Sequence, residues 1–178
     1  VESYGIDGFK FDAGDYVYYP SDAFSKGGLS GNEQCSLFAT LGLEYPYNEY
    51  RAGWQMAGKP LVQRLHDKAH SWEDLGKLIP EMLAENILGY CPDMVGGGSF
   101  ATFLAGEVNQ DLIVRSAQCH ALMTMMQFSL APWRVLDKEH YAAVLKAVRM
   151  REDLMPLIMS LAADAAATGA PIMRPLEY

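Results

Sequence analysis

Short apolar runs alternate along the chain with amphipathic stretches, and the loops that follow the runs are rich in Asp, Gly and Trp. The first run, Ile6 to Asp12 (IDGFKFD), has the profile of a buried strand that ends in the turn-forming Ala13-Gly14-Asp15. A polar, glycine-rich loop from Pro20 to Gly31 leads into Asn32 to Leu43, where Leu37, Phe38 and Leu41 recur at helical spacing. Further strands are predicted at Tyr47 to Arg51, Pro60 to His66, Ile87 to Cys91 and Gln127 to Pro132. The clearest helix begins at Ser71, an N-cap with Asp74 three residues on, and Leu75, Leu78, Ile79, Met82 and Leu83 line its apolar face until it ends near Asn86. Leu112 to Met126 reads as an apolar helix, and Lys138 to Ala167 as a long helical stretch interrupted at Pro156.

Strand, loop and helix recur about every 30 to 45 residues, which is the rhythm of parallel βα units. Roughly four to five units are too few for a closed eight-stranded barrel, which takes about 250 residues. The chain also opens on Val1 and enters a strand almost at once. The expected fold class is therefore α/β, parallel strands with helices outside; if it is a (β/α)8 TIM barrel, it is the C-terminal half of one, read as an excerpt of a longer polypeptide.

Composition narrows the functions open to it. Half of the 178 residues are apolar, enough for a sizeable core. Acidic residues outnumber basic ones 22 to 14, for a net charge of -8, and Lys and Arg form no run. That argues against a nucleic-acid partner, which needs a basic face. The most apolar region, Leu154 to Met173, is broken by Pro156, Ser160, Asp164, Thr168 and Gly169, so no membrane span is expected. Cys35, Cys91 and Cys119 are odd in number and widely spaced. They fit buried thiols rather than a zinc ribbon or a disulfide framework, and leave the compartment open.

In a barrel of this kind the chemistry sits at the C-terminal ends of the strands. Those ends carry Asp12, Arg51, Asp67 and Asp93. A pair of carboxylates is what glycoside hydrolysis requires, one to attack the anomeric carbon and one to protonate the departing oxygen. Any one of these Asp residues alone would serve equally well as a loop or helix cap. Their recurrence on successive strands favours a shared mouth.

The segment Gly5-Ile-Asp-Gly-Phe-Lys-Phe-Asp12-Ala-Gly-Asp15 resembles the nucleophile motif of glycoside hydrolase family 31, the α-glucosidase and α-xylosidase family. Arg51 stands 16 residues before Asp67, similar to the spacing between that family's substrate-binding Arg and its acid/base Asp. Ser71-Trp72-Glu73-Asp74-Leu75 resembles the segment after the acid/base, and Pro92-Asp93-Met94-Val95-Gly96-Gly97 the turn after the seventh strand. Leu112-Ile-Val-Arg115 with Gln118, Met155-Pro156-Leu157, and Gly169 to Leu176 resemble the last barrel helices and the entry to a C-terminal β-domain. The resemblance thus runs in order along nearly the whole chain. It implies that residues 1–170 hold about strands four to eight of the barrel and 171–178 the start of the β-domain. By the same resemblance Asp12 is the nucleophile and Asp67 the general acid/base. Arg51 and Asp93 hydrogen-bond the sugar with Lys10 a polar neighbour of it, and neither a metal nor an organic cofactor takes part; Trp54 and Trp72, read from their place in strand-end loops, either stack on a sugar face or pack beneath the loops. An oligosaccharide or α-glycoside would be the substrate, α-xyloside and α-galactoside being alternatives to glucoside, and the rest of the polypeptide would complete the site. A non-catalytic carbohydrate-binding barrel is the rival from another class.

Two departures from the family pattern stand out. Phe128-Ser129-Leu130-Ala131-Pro132-Trp133 occupies the place of an Arg-x-His element after the eighth strand, and Arg64-Leu65-His66 replaces aromatic-x-Gly before the acid/base. Other constellations have plainer readings. His66 and His70 lie before the Ser71 cap and need not share a helix face. Gly96-Gly97-Gly98 lacks the Lys-Ser/Thr of a phosphate loop and reads as a turn, Met123, Met125 and Met126 read as core, and Cys91 has no evident base.

Overall fold

The computed structural model describes residues 2–89, 91–93 and 108–178. Four strands, β1 (Gly8–Phe11), β2 (Tyr47–Tyr50), β3 (Val62–Arg64) and β4 (Cys91–Asp93), pair in chain order into one all-parallel sheet. Helix α1 (Gly31–Thr40) joins β1 to β2, and α2 (Trp72–Ile87) joins β3 to β4. The connection from β2 to β3 crosses residues 51–61 without a helix. After β4 come α3 (Gln110–His120), the single turn α4 (Pro132–Val135) and α5 (Lys138–Thr168).

The helices begin where the side chains provide for it. Ser30 caps α1 in a reciprocal box with Glu33, and the Ser71 hydroxyl accepts from the Asp74 N–H at the head of α2. Asn109 and Asp137 cap α3 and α5 in the same way. Such caps are typically worth about 1 kcal/mol each.

The two faces of the sheet differ in kind. Phe11 and Tyr50, stacked at 4.7 Å, point to the α1 side and form a core with Phe38, Ala39, Met56 and Leu61. A second core gathers Leu65, Leu78, Met82 and Met123 under α2, and a third joins Ile113, Val114 and Ala117 of α3 to Val144 of α5. Lys10 and Glu49 belong to the opposite face of the sheet from Phe11 and Tyr50, because strand side chains alternate. That face carries charge where a parallel sheet ordinarily carries aliphatic residues.

The structure corrects several expected elements. Residue 87 ends a helix instead of opening a strand: the α2 face continues through Met82 to Asn86, and Gly89 at φ 87° makes the turn before β4. Asn86 is fixed there by donating to the Met82 carbonyl and accepting from the Met173 N–H. Helix α3 stops at His120, so Met123 reaches the core from the connection that follows, while Met126 packs with the third cluster. Gln127 to Pro132 forms no strand; the alternation of Phe128 and Leu130 serves instead to pack both against the α3–α5 cluster. Pro156 does not interrupt α5, whose buried Val144, Ala147 and Ile158 lie on both sides of it. A proline inside a helix costs about 3 kcal/mol, and packing on either flank offsets that. The triplet Gly96-Gly97-Gly98 and the residues Met94 and Val95 lie outside the described residues.

Candidate active site

Strand register places the site before any side chain is considered. Phe11 is level with Tyr50, and Tyr50 with Gln63; one step further along each strand stand Asp12, Arg51 and Arg64, and Arg64 is itself paired with Asp93. These four positions form a row at the C-terminal edge of the sheet. Two residues back, on the same face, Lys10 is level with Glu49.

After Asp12 the chain turns through Ala13 at φ 62° and Gly14 at φ 84°. Gly14 is required twice over, since a β-carbon there would collide with the Phe38 ring. The turn brings Asp15 back over Arg51, whose Nε donates to the Asp15 carboxylate at 3.0 Å. Asp67 arrives from the loop after β3, three residues beyond Arg64.

Two guanidiniums join the two carboxylates. Arg64 donates from Nη2 to Asp12 Oδ1 at 3.0 Å and from Nη1 to Asp67 Oδ1 at 2.9 Å. Arg51 Nη1 lies 3.3 Å from Asp12 Oδ1 and 3.6 Å from Asp67 Oδ2. The Asp12 and Asp67 side chains are 61% and 42% exposed, against 14% for Arg51 and 5% for Arg64. The carboxylates thus face the open mouth and the cations sit beneath them. Partial burial works against ionisation of Asp12, but the Ala13 N–H, the charges of Arg51 and Arg64 and the Arg64 hydrogen bond outweigh it. Its carboxyl is held below the usual aspartate range, in the form a nucleophile needs.

Below this pair lies a second polar layer. Glu49 accepts an ion pair from Lys10 at 2.9 Å, approaches Arg64 Nε at 3.5 Å and accepts from Gln127 Nε2 at 2.9 Å; Lys10 also donates to Gln127 Oε1 at 3.2 Å. Lys10 is therefore tied to Glu49 and Gln127, with its side chain half exposed. Tyr18 completes the rim, its hydroxyl accepting from Arg51 Nη2 at 3.4 Å.

Of the sequence candidates, Asp12, Arg51 and Asp67 converge, Lys10 stands one layer down, and Asp93 holds its place in the row by backbone position. Trp54 lies on the loop after β2 and Trp72 in the first turn of α2, both exposed. His66 turns to Lys68 and Glu81, while His70 accepts from the Asn109 N–H, so the two rings have different partners. Sequence reasoning marked Arg64 only as a cation beside Asp67, and assigned no role to Glu49, Asp15, Tyr18 or Gln127. Glu49 stands two residues before Arg51 and shares its face, but it is the pairing of the strands that brings it between Lys10 and Arg64.

No family model matches the chain. It is 36% identical to a myogenesis-regulating glycosidase of Mus musculus over 98% of its length, 33% identical to a SITS-binding protein of Tetronarce californica over 84%, and 24% identical to a 1,3-alpha-isomaltosidase of Kribbella flavida over 100%. It spans about a quarter of each of these relatives, at 26%, 22% and 28% of their lengths. Among solved structures, a GH31 family sulfoquinovosidase from E. rectale superimposes with a TM-score of 0.80 at 20% identity, over 98% of this chain and 30% of that one. A cycloalternan-degrading enzyme from Trueperella pyogenes does so with a TM-score of 0.76 at 22% identity, over 97% of this chain and 28% of that one. With the ordered motifs, the row of charged residues they fold into and a glycosidase relative along nearly all its length, the chain belongs to glycoside hydrolase family 31.

Proposed function

We propose that the chain supplies the C-terminal half of a (β/α)8 catalytic barrel in a retaining α-glycoside hydrolase, α-glucosidase-like in its chemistry. The observation that carries this reading is the pair Asp12 and Asp67, held at one strand edge by the same two guanidiniums. The two carboxyls bind one guanidinium between them, and retention would set them about 5 to 5.5 Å apart, against about 6.5 to 9.5 Å for inversion.

The reaction runs in two steps. Asp12 attacks the anomeric carbon and forms a glycosyl ester. The glycosidic C–O bond breaks with its electron pair passing to the leaving oxygen, which takes a proton from Asp67. Water then attacks the same carbon and gives a proton to Asp67, and the ester bond breaks with its electrons returning to Asp12. Asp67, ion-paired to Arg64 and Arg51, would serve as the base of the second step. Arg51 and Asp93 would hydrogen-bond the sugar, Lys10 would adjoin it, and Trp54 and Trp72 are the aromatic faces near enough in sequence to stack on it. The eighth-strand segment, without Arg-x-His, leaves α-xyloside and α-galactoside as alternatives to glucoside. Residues 171–178 would begin the β-domain, and the remainder of the polypeptide the other wall of the pocket.

Cleavage of an aryl α-glycoside by the full-length protein, followed by NMR, tests this. The α-anomer should appear first; a β-anomer appearing first refutes retention. A second reading, a binding barrel without turnover, draws on the relative named for what it binds. It requires that the full-length protein cleave no aryl α-glycoside.

A further inference from the structure

Arg64 is placed differently from the other described charged side chains at the mouth. Its side chain is 5% exposed, and its nitrogens are all engaged: Nη2 with Asp12, Nη1 with Asp67 and with the Leu65 carbonyl at 3.0 Å, and Nε with Glu49. It is thus sealed beneath the carboxylates, with no edge free for a sugar. Arg51 also reaches both carboxylates, but at 3.3 and 3.6 Å, and it divides its charge with Asp15 and Tyr18. Glu49 lies one layer below Arg64 and is itself held by Lys10 and Gln127, so the guanidinium is anchored from underneath.

We propose that Arg64 is a positioning residue that couples the two steps of the reaction, one end of its guanidinium holding Asp12 and the other Asp67, with Glu49 as its anchor. The inference rests on the retaining-hydrolase reading above and assigns a task within it. In the first step, Asp12 gives up its charge to the ester, and the bond from Nη2 is spent. That loss works against attack, while the orientation Arg64 provides works for it. In the second step both contributions have the same sign. The electrons returning to Asp12 when the ester bond breaks meet the Nη2 donor already in place, and Nη1 holds Asp67 as the carboxylate that takes the proton from water. Removing Arg64 should therefore slow deglycosylation far more than glycosylation.

Steady-state kinetics separate the two steps on a dinitrophenyl α-glycoside, whose leaving group needs no acid: kcat/KM reports formation of the ester, and kcat its hydrolysis. For full-length Arg64→Met, kcat should fall about 10-fold or more, kcat/KM should change by less than about 3-fold, and KM should drop accordingly. Intact mass spectrometry should find the glycosyl-enzyme enriched at steady state relative to wild type. Arg64→Lys, which keeps a charge but can reach one carboxylate at a time, and Glu49→Gln, which loosens the anchor, should show the same split to a smaller degree; either one decides the matter if Arg64→Met does not fold. Equal losses in kcat and kcat/KM, or a raised KM at unchanged kcat, overturn the coupling role. A wild-type protein that neither turns over nor forms an ester defeats the hydrolase reading itself, whereas an active wild type whose variants show no split defeats this inference alone.

Discussion

Asp12 and Asp67 share their counter-ions, so neither can be altered without changing the electrostatics of the other. Their roles can still be told apart by the leaving group. A proton donor matters most when the departing oxygen is a poor leaving group. Asp67→Ala should lose about 10² to 10⁴-fold in rate on a natural disaccharide and far less on a nitrophenyl or fluoride glycoside; equal losses on both would mark Asp67 as structural. At this scale the sequence was legible wherever a residue type and a spacing carried the chemistry, as with Asp12, Arg51 and Asp67. It was opaque where a polar residue faces inward on a strand. Glu49, in the run YNEY, looks from the sequence like an ordinary solvated glutamate. Only the pairing of β2 between β1 and β3 reveals that it lies between Lys10 and Arg64.

Helix α2 was legible end to end because two independent signals agree, the Ser71 cap and the apolar face through Leu78 and Met82. The fourth strand exists but opens at Cys91 rather than Ile87, and 127–132 is no strand, because a short apolar run has no period long enough to distinguish helix, strand and packed coil. The same helix carries a charge problem that sequence gave no hint of. Glu85, half-buried beside Lys68 and Glu81, has an oxygen without a hydrogen-bond partner, and burial pushes its carboxyl from an ordinary 4.5 up to about 7; Lys68 pulls it down and Glu81 adds to the rise. A raised folded-state value means the folded chain holds a proton that the unfolded chain has already released. The stability this provides is fully present below about 4.5 and is lost as pH rises through about 7. Glu85→Gln should accordingly stabilise the protein above pH 7, by on the order of 1 to 3 kcal/mol, and leave it unchanged near pH 4. Thermal melts across that range check it, and a gain of the same size at both ends would contradict it.

For the molecule as a whole, the strands among the described residues form a sheet in the order β1-β2-β3-β4, which leaves β1 at an edge. Parallel sheets are normally covered on both faces and closed or capped at their edges. Residues 1–178 expressed alone are expected to self-associate through that edge and to show no turnover, while the full-length protein is active. A monomeric 178-residue product that cleaves an α-glycoside would show that these residues suffice. The alternation of strand and helix gave the parallel topology from sequence. The charged inner face escaped notice because strand alternation assigns residues to faces without saying which face is polar.

If Asp12 is the nucleophile, it carries a covalent bond to the sugar between the two steps, and that bond can be trapped. Incubating the full-length protein with an activated 5-fluoro-α-glycosyl fluoride, whose fluoride leaving group drives the first step while the ring fluorine slows the second, should add the mass of one fluoro-sugar. Digestion should place that mass on the peptide containing Asp12. Label on the peptide carrying Asp67 or Asp93 instead, or no label from a sugar the protein demonstrably cleaves, would contradict the account.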